Sequence, residues 1–168
     1  MNRFATILVS AMLFGSIHCA AQEAVPVNDV PPAFIGTWRL VEWSATTASG
    51  DKEHPFGPKA VGRITYGTDG SMSFHLMDPS VPPFKSPVRA LASADEIEAG
   101  WKAYFAYFGT YAVDSNNGIV THHIEGCSFP NWNGTEQKRN YQFDGTSLVL
   151  EGQTADQKSH RLVWQKAK

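Results

Sequence analysis

The sequence predicts an all-β fold, a closed antiparallel β-barrel of about eight strands with one α-helix near residues 94–108. From residue 36 onward, most of the chain consists of short segments in which apolar and polar residues alternate, separated by turns rich in glycine, aspartate and asparagine. One segment shows helical spacing of its apolar residues instead. The interior of a barrel of this size either fills with side chains or holds one small ligand, and these two possibilities lead to different functions.

The N-terminal segment predicts a secretory signal peptide over residues 1–21. A short positive start is followed by an apolar run over residues 4–17, too short to span a bilayer comfortably, and small residues then precede Gln22. We expect cleavage after Ala21 and export to the periplasm or secretion. Lipid attachment at Cys19 is the rival interpretation, but a histidine stands before it where lipoprotein signals place a small residue.

Beyond the signal, a proline-containing linker over residues 22–32 leads to one predicted domain over residues 33–168. Removal of Arg3 with the signal leaves 13 basic against 16 acidic residues, a formal charge of −3. This balance argues against nucleic acid as the main partner, because neutralising phosphates requires a basic face. Cys127 is then the one remaining cysteine, so we expect no intramolecular disulfide and a buried small residue rather than a reactive thiol.

The first strand is predicted over residues 36–44, where the apolar residues occupy both faces. By alternation, Trp38 and Leu40 share one face while Val41 and Trp43 share the other. A long loop follows, punctuated by glycine and proline.

A hairpin is predicted next, with strands over residues 62–66 and 71–76. The Asp69-Gly70 pair between them supplies the positive φ that a tight hairpin turn needs. Five side chains alternate onto one face of this hairpin: Ile64, Tyr66, Met72, Phe74 and Leu76.

The predicted helix begins at a capping box in which Ser93 and Glu96 satisfy each other's backbone amides. Its apolar stripe, ended by Gly109, consists of Ile97, Trp101, Phe105 and Phe108. A membrane-binding helix and a helix that covers the barrel both fit such a stripe. The helix lacks a basic polar face, which favours the covering role.

The rest of the chain predicts five further strands joined mostly by hairpin-length turns. They lie at residues 110–113, 119–127, 137–143, 147–151 and 160–165.

Several segments together resemble the lipocalin-like domain family, a group of calycin-type barrels. The segments are Gly36-Thr37-Trp38, Pro55-Phe56-Gly57-Pro58, Gly62-Arg63-Ile64-Thr65-Tyr66, Asp69-Gly70-Ser71-Met72-Ser73, Ala106-Tyr107-Phe108-Gly109-Thr110-Tyr111, Val120-Thr121-His122-His123-Ile124-Glu125-Gly126, Phe129-Pro130-Asn131-Trp132 and Arg139. The resemblance implies a barrel that binds a small, mostly apolar molecule, and some similar proteins act in the assembly of natural products. It also implies a basic residue near the end of the last strand against the first-strand tryptophan, a role for which Arg161 and Lys166 compete.

Adjacent histidines at positions 122 and 123 are the strongest chemical feature. On a strand their side chains point to opposite faces, so they cannot hold one metal ion together. His122 shares an apolar face with Val120 and Ile124, which predicts an inward position. His123 shares a polar face with Glu125, and a metal site there lacks a third ligand in the sequence.

By the same alternation, Arg139 points inward, so His122 and Arg139 are two polar groups in an aromatic interior. We hypothesise that they orient a carbonyl, phenol or carboxylate group of a ligand, with the Pro130-Asn131-Trp132 loop as a rim. A buried hydrogen-bond network without a ligand would give the same pattern. The complete predicted ligand-binding set is Trp38, Tyr66, Met72, Phe74, Tyr111, His122, Trp132, Arg139 and Tyr141.

Three functions are compatible with these residues. The first is an exported binding protein for a small hydrophobic or aromatic molecule. The second is a cofactor-free isomerase or cyclase in which His122 moves a proton. The third is an interaction module with an exposed apolar patch. The sequence predicts no metal, no cofactor and no membrane span in the mature domain, and the sequon at Asn133-Gly134-Thr135 is explained more simply as a turn.

Overall fold

The computed structural model describes residues 30–168. The predicted signal peptide, with the rival Cys19 site, and residues 22–29 of the predicted linker lie outside the described residues. Within residues 30–168 the chain forms nine strands and one α-helix. They are β1 Gly36–Thr46, β2 Lys52–Glu53, β3 Val61–Tyr66, β4 Ser71–Met77, α1 Ala94–Lys102, β5 Tyr104–Asp114, β6 Ile119–Cys127, β7 Glu136–Phe143, β8 Ser147–Gln153 and β9 Ser159–Lys166.

The strands form one closed antiparallel barrel. Each long strand pairs with the next along the chain, and β1 pairs with both β3 and β9, which closes the sheet. Strand β2 is a two-residue addition on the end of β1. The prediction of a closed antiparallel barrel of about eight strands is therefore confirmed.

Local sequence accounts for the first hairpin. Gly70 has a φ of +81°, which an L-residue adopts only with strain, and it closes the turn between β3 and β4. The five apolar side chains predicted to share a face are all buried in the core: Ile64, Tyr66, Met72, Phe74 and Leu76.

The helix is shorter than the sequence predicts. The capping box at Ser93 and Glu96 is present, but the helix ends at Lys102, and β5 begins at Tyr104 instead of residue 110. Residues 104–108 are rich in aromatic side chains, which suit strands. All five pair with β4, and Tyr107 and Phe108 also pair with β6. The described residues contain no helix that is both long and apolar enough to cross a membrane.

A β-bulge in β1 corrects the predicted faces of that strand. The register against β9 shifts between Leu40 and Glu42, so Val41 is an extra residue and its side chain is exposed. The shift returns Trp43 to the inner face, opposite Leu162, whereas strict alternation would place Trp43 outside.

One end of the barrel is closed by a plug of residues on the first strand and the segment before it. Trp38 is fully buried, and its indole nitrogen donates to the carbonyl oxygen of Phe34 at 2.9 Å. Lys166 lies over the Trp38 ring, with Nζ 4.9 Å from the ring centroid, and donates to the carbonyls of Ala33 and Ile35. Lys166, and not Arg161, is thus the basic residue against the first-strand tryptophan.

Replacing Lys166 with methionine is expected to lower the free energy of unfolding by about 1–2 kcal/mol, because two hydrogen bonds to backbone carbonyls and a cation–π contact are lost together. Chemical denaturation of the purified domain measures this change. Arg161→Met is the control, since Arg161 is an exposed residue that pairs with Glu42 and Glu151. An equal loss in both variants would contradict a special role for Lys166.

Candidate functional site

The other end of the barrel contains a cavity of about 370 Å³. Its wall is mostly apolar and its mouth lies among the loops at this end. The side chains around it are those of Trp43, Phe56, Phe74, Leu76, Trp101, Lys102, Tyr104, Phe105, Tyr107, His122, Ser128, Phe129, Trp132, Arg139, Leu150, Thr154, His160 and Leu162, with Gly152. A cavity of this size and lining suits a small organic molecule.

Aromatic rings shape this cavity. Phe74 and Tyr107 stack with ring centroids 4.6 Å apart, and Phe105 meets Trp132 edge to face at 5.2 Å. Trp132 comes from the short 3₁₀ turn Pro130–Trp132 that follows β6. The arrangement gives a planar apolar ligand several ring faces and edges to pack against.

His122 is fully buried between two tyrosines. Its Nε2 lies 2.8 Å from the Tyr66 hydroxyl and its Nδ1 lies 2.9 Å from the Tyr107 hydroxyl. Strand β6 holds the histidine, while β3 and β5 supply the tyrosines, so the network ties three strands together inside the barrel. One imidazole nitrogen accepts and the other donates, which satisfies both nitrogens of a neutral ring.

Burial keeps this network uncharged. It lowers the pKa of His122 to about 3, with the positive charge of Arg139 and then His123 acting in the same direction. Burial also raises the pKa of Tyr66 and of Tyr107 far above the ordinary tyrosine value. All three groups are therefore neutral near pH 7.

Arg139 on β7 lies across the inner face of β8. A Cβ placed on Gly152 would lie only 2.5 Å from Arg139 Cδ, so the glycine leaves the space that the arginine side chain fills. The guanidinium lies 6.0 Å from the centre of the Trp132 ring, and its Nη1 donates to the carbonyl oxygen of Lys138. These contacts place a partly buried cation at the cavity wall.

At the mouth, His160 is fixed between two side chains. Trp43 donates its indole N–H to Nδ1 at 3.1 Å, and the hydroxyl of Thr154 lies 3.1 Å from Nε2. Burial lowers the pKa of this histidine.

The nine predicted ligand-binding residues separate into two groups along the barrel. Phe74, His122, Trp132 and Arg139 line the cavity. The other five lie in the core at or towards the closed end and not along the cavity: Trp38, Tyr66, Met72, Tyr111 and Tyr141. Tyr111, for example, donates its hydroxyl to the carbonyl oxygen of Gly67, in the turn after β3.

Tyr107 lines the cavity but is absent from the predicted ligand-binding set, because the sequence predicts a helix near residues 94–108. An available signal was the alternation of Phe105, Tyr107, Gly109, Tyr111 and Val113, which has the period of a strand. Extending β5 towards the N-terminus on that basis places Tyr107 on the same inner face as Tyr111.

The outward residues of β6 form no comparable site. His123 pairs with Glu136, with Nδ1 and Oε1 3.1 Å apart, while Glu125 is exposed. Cys127 is only partly buried, and burial raises its thiol pKa, which disfavours the reactive thiolate. Within residues 30–168, no three His, Cys, Asp or Glu side chains lie close enough together to hold a metal ion.

Among characterised proteins, the chain is similar to the 4'-hydroxy-3'-methoxypropiophenone carrier protein ppsC of Aspergillus oryzae. The two are 29% identical over 85 residues, which is 47% of this chain and 77% of the relative.

Three solved barrels resemble the fold weakly. A redesigned beta barrel has a TM-score of 0.42 and 12% identity, over 81% of this chain and 93% of that one. A de novo fluorescence-activating beta barrel has a TM-score of 0.41 and 12% identity, over 80% and 94% of the two chains. A variant of the fluorescent protein UnaG has a TM-score of 0.38 and 10% identity, over 81% and 97%. These scores are low, and the fold assignment comes from the strand pairing alone.

The sequence model of the lipocalin-like domain matches residues 35–167, from the residue before β1 to the residue after β9. The match therefore includes every strand of the barrel, both ends of the interior and the whole cavity wall. This chain belongs to the lipocalin-like domain family.

Proposed function

We propose that this protein is an exported carrier that binds one small, mostly aromatic molecule in the cavity at the open end of the barrel. The observation that carries the proposal is the cavity itself, because the interior of the barrel is filled at one end and open at the other. Aromatic rings from three strands, the helix and two loops surround a volume that suits an aromatic molecule of modest size.

Two further facts support binding. The relative from Aspergillus oryzae is named as the carrier of an aromatic ketone, a compound of the size that this cavity suits. The plug around Trp38 and the network around His122 fix the floor and wall of the cavity, so a ligand meets a surface that is largely formed in advance. Export rests on the predicted signal peptide.

The environment of His122 disfavours an isomerase or cyclase in which this residue moves a proton. Such an enzyme requires His122 to exchange a proton near neutral pH, and a histidine with a pKa of about 3 is a poor match for that task. Both of its ring nitrogens are also engaged by tyrosine hydroxyls. The arrangement fits a fixed polar wall better than a proton shuttle.

A neutral fluorescent probe tests the proposal. N-phenylnaphthylamine is apolar and brightens in apolar surroundings, so fluorescence titration of the mature domain measures occupation of the cavity. Leu162→Trp adds bulk to the cavity wall, and we expect it to weaken probe binding at least about tenfold, or about 1.4 kcal/mol. Native mass spectrometry of the protein from its own host then identifies the natural ligand.

The matched control is Val163→Trp, which adds a similar side chain at the next residue of β9, on the outer face. It is expected to leave probe affinity within about twofold, a change of about 0.4 kcal/mol. Circular dichroism checks that both variants are folded. Absence of probe binding to the wild-type domain, or an equal loss in the two variants, would overturn the proposal.

A further inference from the structure

We propose that the ligand carries an anionic group, a carboxylate, sulfonate or phenolate, that pairs with the Arg139 guanidinium at the cavity wall. This inference rests on the proposed binding function and specifies the class of ligand: an aromatic anion rather than a neutral aromatic molecule.

The charges around the cavity have one sign. Arg139 and Lys102 are the permanently charged side chains in its lining, and the lining contains no aspartate or glutamate. Lys102 is an exposed residue already paired with Glu98 along the helix. Arg139 is thus the cation whose charge acts on the cavity.

Within residues 30–168, Arg139 has no carboxylate within 4.0 Å. The other lysine and arginine side chains in this range either have an acidic partner, as Lys52, Lys158 and Arg161 do, or are exposed to water, whereas Arg139 is partly buried. A partly buried guanidinium has five donors in a fixed fork that matches a carboxylate or sulfonate, and only one backbone carbonyl occupies it here.

Neighbouring residues hold the Arg139 side chain at the cavity. Gly152 on the neighbouring strand leaves room for the side chain, and the Trp132 ring lies 6.0 Å from the guanidinium on the other side. A ligand ring that packs against Trp132 and Phe105 would bring a substituent within reach of the arginine. The apolar wall and the cation then act on two parts of one amphipathic molecule.

The field of Arg139 extends through the cavity. Its charge contributes to the lowered pKa of both His122 on β6 and His160 on β9. The same field favours an anion in the space between them, where the apolar surroundings screen charge less than water does.

The test compares two probes that share an anilinonaphthalene body and differ in charge. Anilinonaphthalene sulfonate carries the anion, and N-phenylnaphthylamine lacks it. Arg139→Gln is expected to weaken sulfonate binding at least tenfold and to change the binding of the neutral probe by a much smaller factor, so the ratio of the two affinities is the readout. Wild-type affinity for the sulfonate is also expected to fall with added salt.

Lys138→Gln is the matched control, because it removes the same charge from the adjacent, exposed residue of β7. Sulfonate binding that Arg139→Gln leaves unchanged, or that both variants weaken equally, overturns the anion inference. Continued binding of the neutral probe in that case leaves the proposed carrier function standing. Failure of the wild-type protein to bind either probe overturns both proposals.

Discussion

Replacement of Trp38 by alanine is expected to lower the free energy of unfolding by about 3–5 kcal/mol. Trp38 is fully buried in the closed end, where its indole nitrogen donates to Phe34 and its ring lies beneath Lys166. Alanine removes the ring from a packed site and leaves the Phe34 carbonyl without its donor. Denaturant titration of the folded domain measures the loss.

Two further variants separate the effect of burial from the effect of the hydrogen bond. Trp101→Ala, at a helix position where the side chain is 57% exposed, is expected to change stability by no more than about 0.5 kcal/mol. Trp38→Phe keeps most of the apolar volume and loses the hydrogen bond, so an intermediate loss of about 1–2 kcal/mol is expected. A loss in Trp38→Ala no larger than in Trp101→Ala would show that the plug does not hold the barrel closed.

The barrel was predictable because each hairpin is encoded locally. Alternating side chains on β3 and β4 and a glycine at the turn specify both the pairing and the buried face, without information from distant parts of the chain. The end of the helix was less predictable. Phe105 and Phe108 fit the helical stripe by spacing, and Phe105 also fits the alternation of a strand. Pairing with β4, and with β6 from Tyr107 onward, decides between the two patterns.

The sequence does not predict the bulge at Val41 either, because the bulge also depends on strand pairing. A bulge changes the face of every later residue on its strand, and it is defined by the register against a partner that lies more than a hundred residues away. Trp43 therefore reaches the cavity although simple alternation places it outside.

For the site, alternation separates inner from outer residues but does not show where along the barrel an inner residue lies. His122 and Arg139 were predicted inside by this rule, and the structure places both at the cavity. Tyr111 and Tyr141 satisfy the same rule and lie away from it. Strand stagger and the position of the plug decide between the two ends, and both depend on the assembled sheet.

The burial of His122 also makes the free energy of unfolding of the domain depend on pH. In the folded domain its pKa is about 3, lowered by burial and then by the charges of Arg139 and His123, whereas an unfolded histidine has a pKa of about 6.5. Below about pH 6.5 the unfolded chain binds a proton that the folded domain excludes, so lowering the pH favours unfolding. The free energy of unfolding is expected to fall by about 1.4 kcal/mol per pH unit from this residue alone, until the pH approaches about 3.

The interval from about pH 7 to about pH 5 isolates the effect, because most carboxylates titrate at lower pH. Denaturation across this interval is expected to show a steeper loss of stability for the wild type than for His122→Gln, which lacks the titrating ring. We expect the variant to be less stable at pH 7, because it disturbs two tyrosine hydrogen bonds. The measurement is therefore the slope of stability against pH and not the stability itself.

His160 contributes in the same direction, because burial also lowers its pKa. The variant His160→Gln measures the share of this residue in the slope. Trp101→Ala, which removes no titrating group, is the control that should retain the wild-type slope. Equal slopes for the wild type and His122→Gln would mean that the imidazole takes up its proton inside the barrel. The neutral Tyr66–His122–Tyr107 network would then be wrong as the description of the cavity wall.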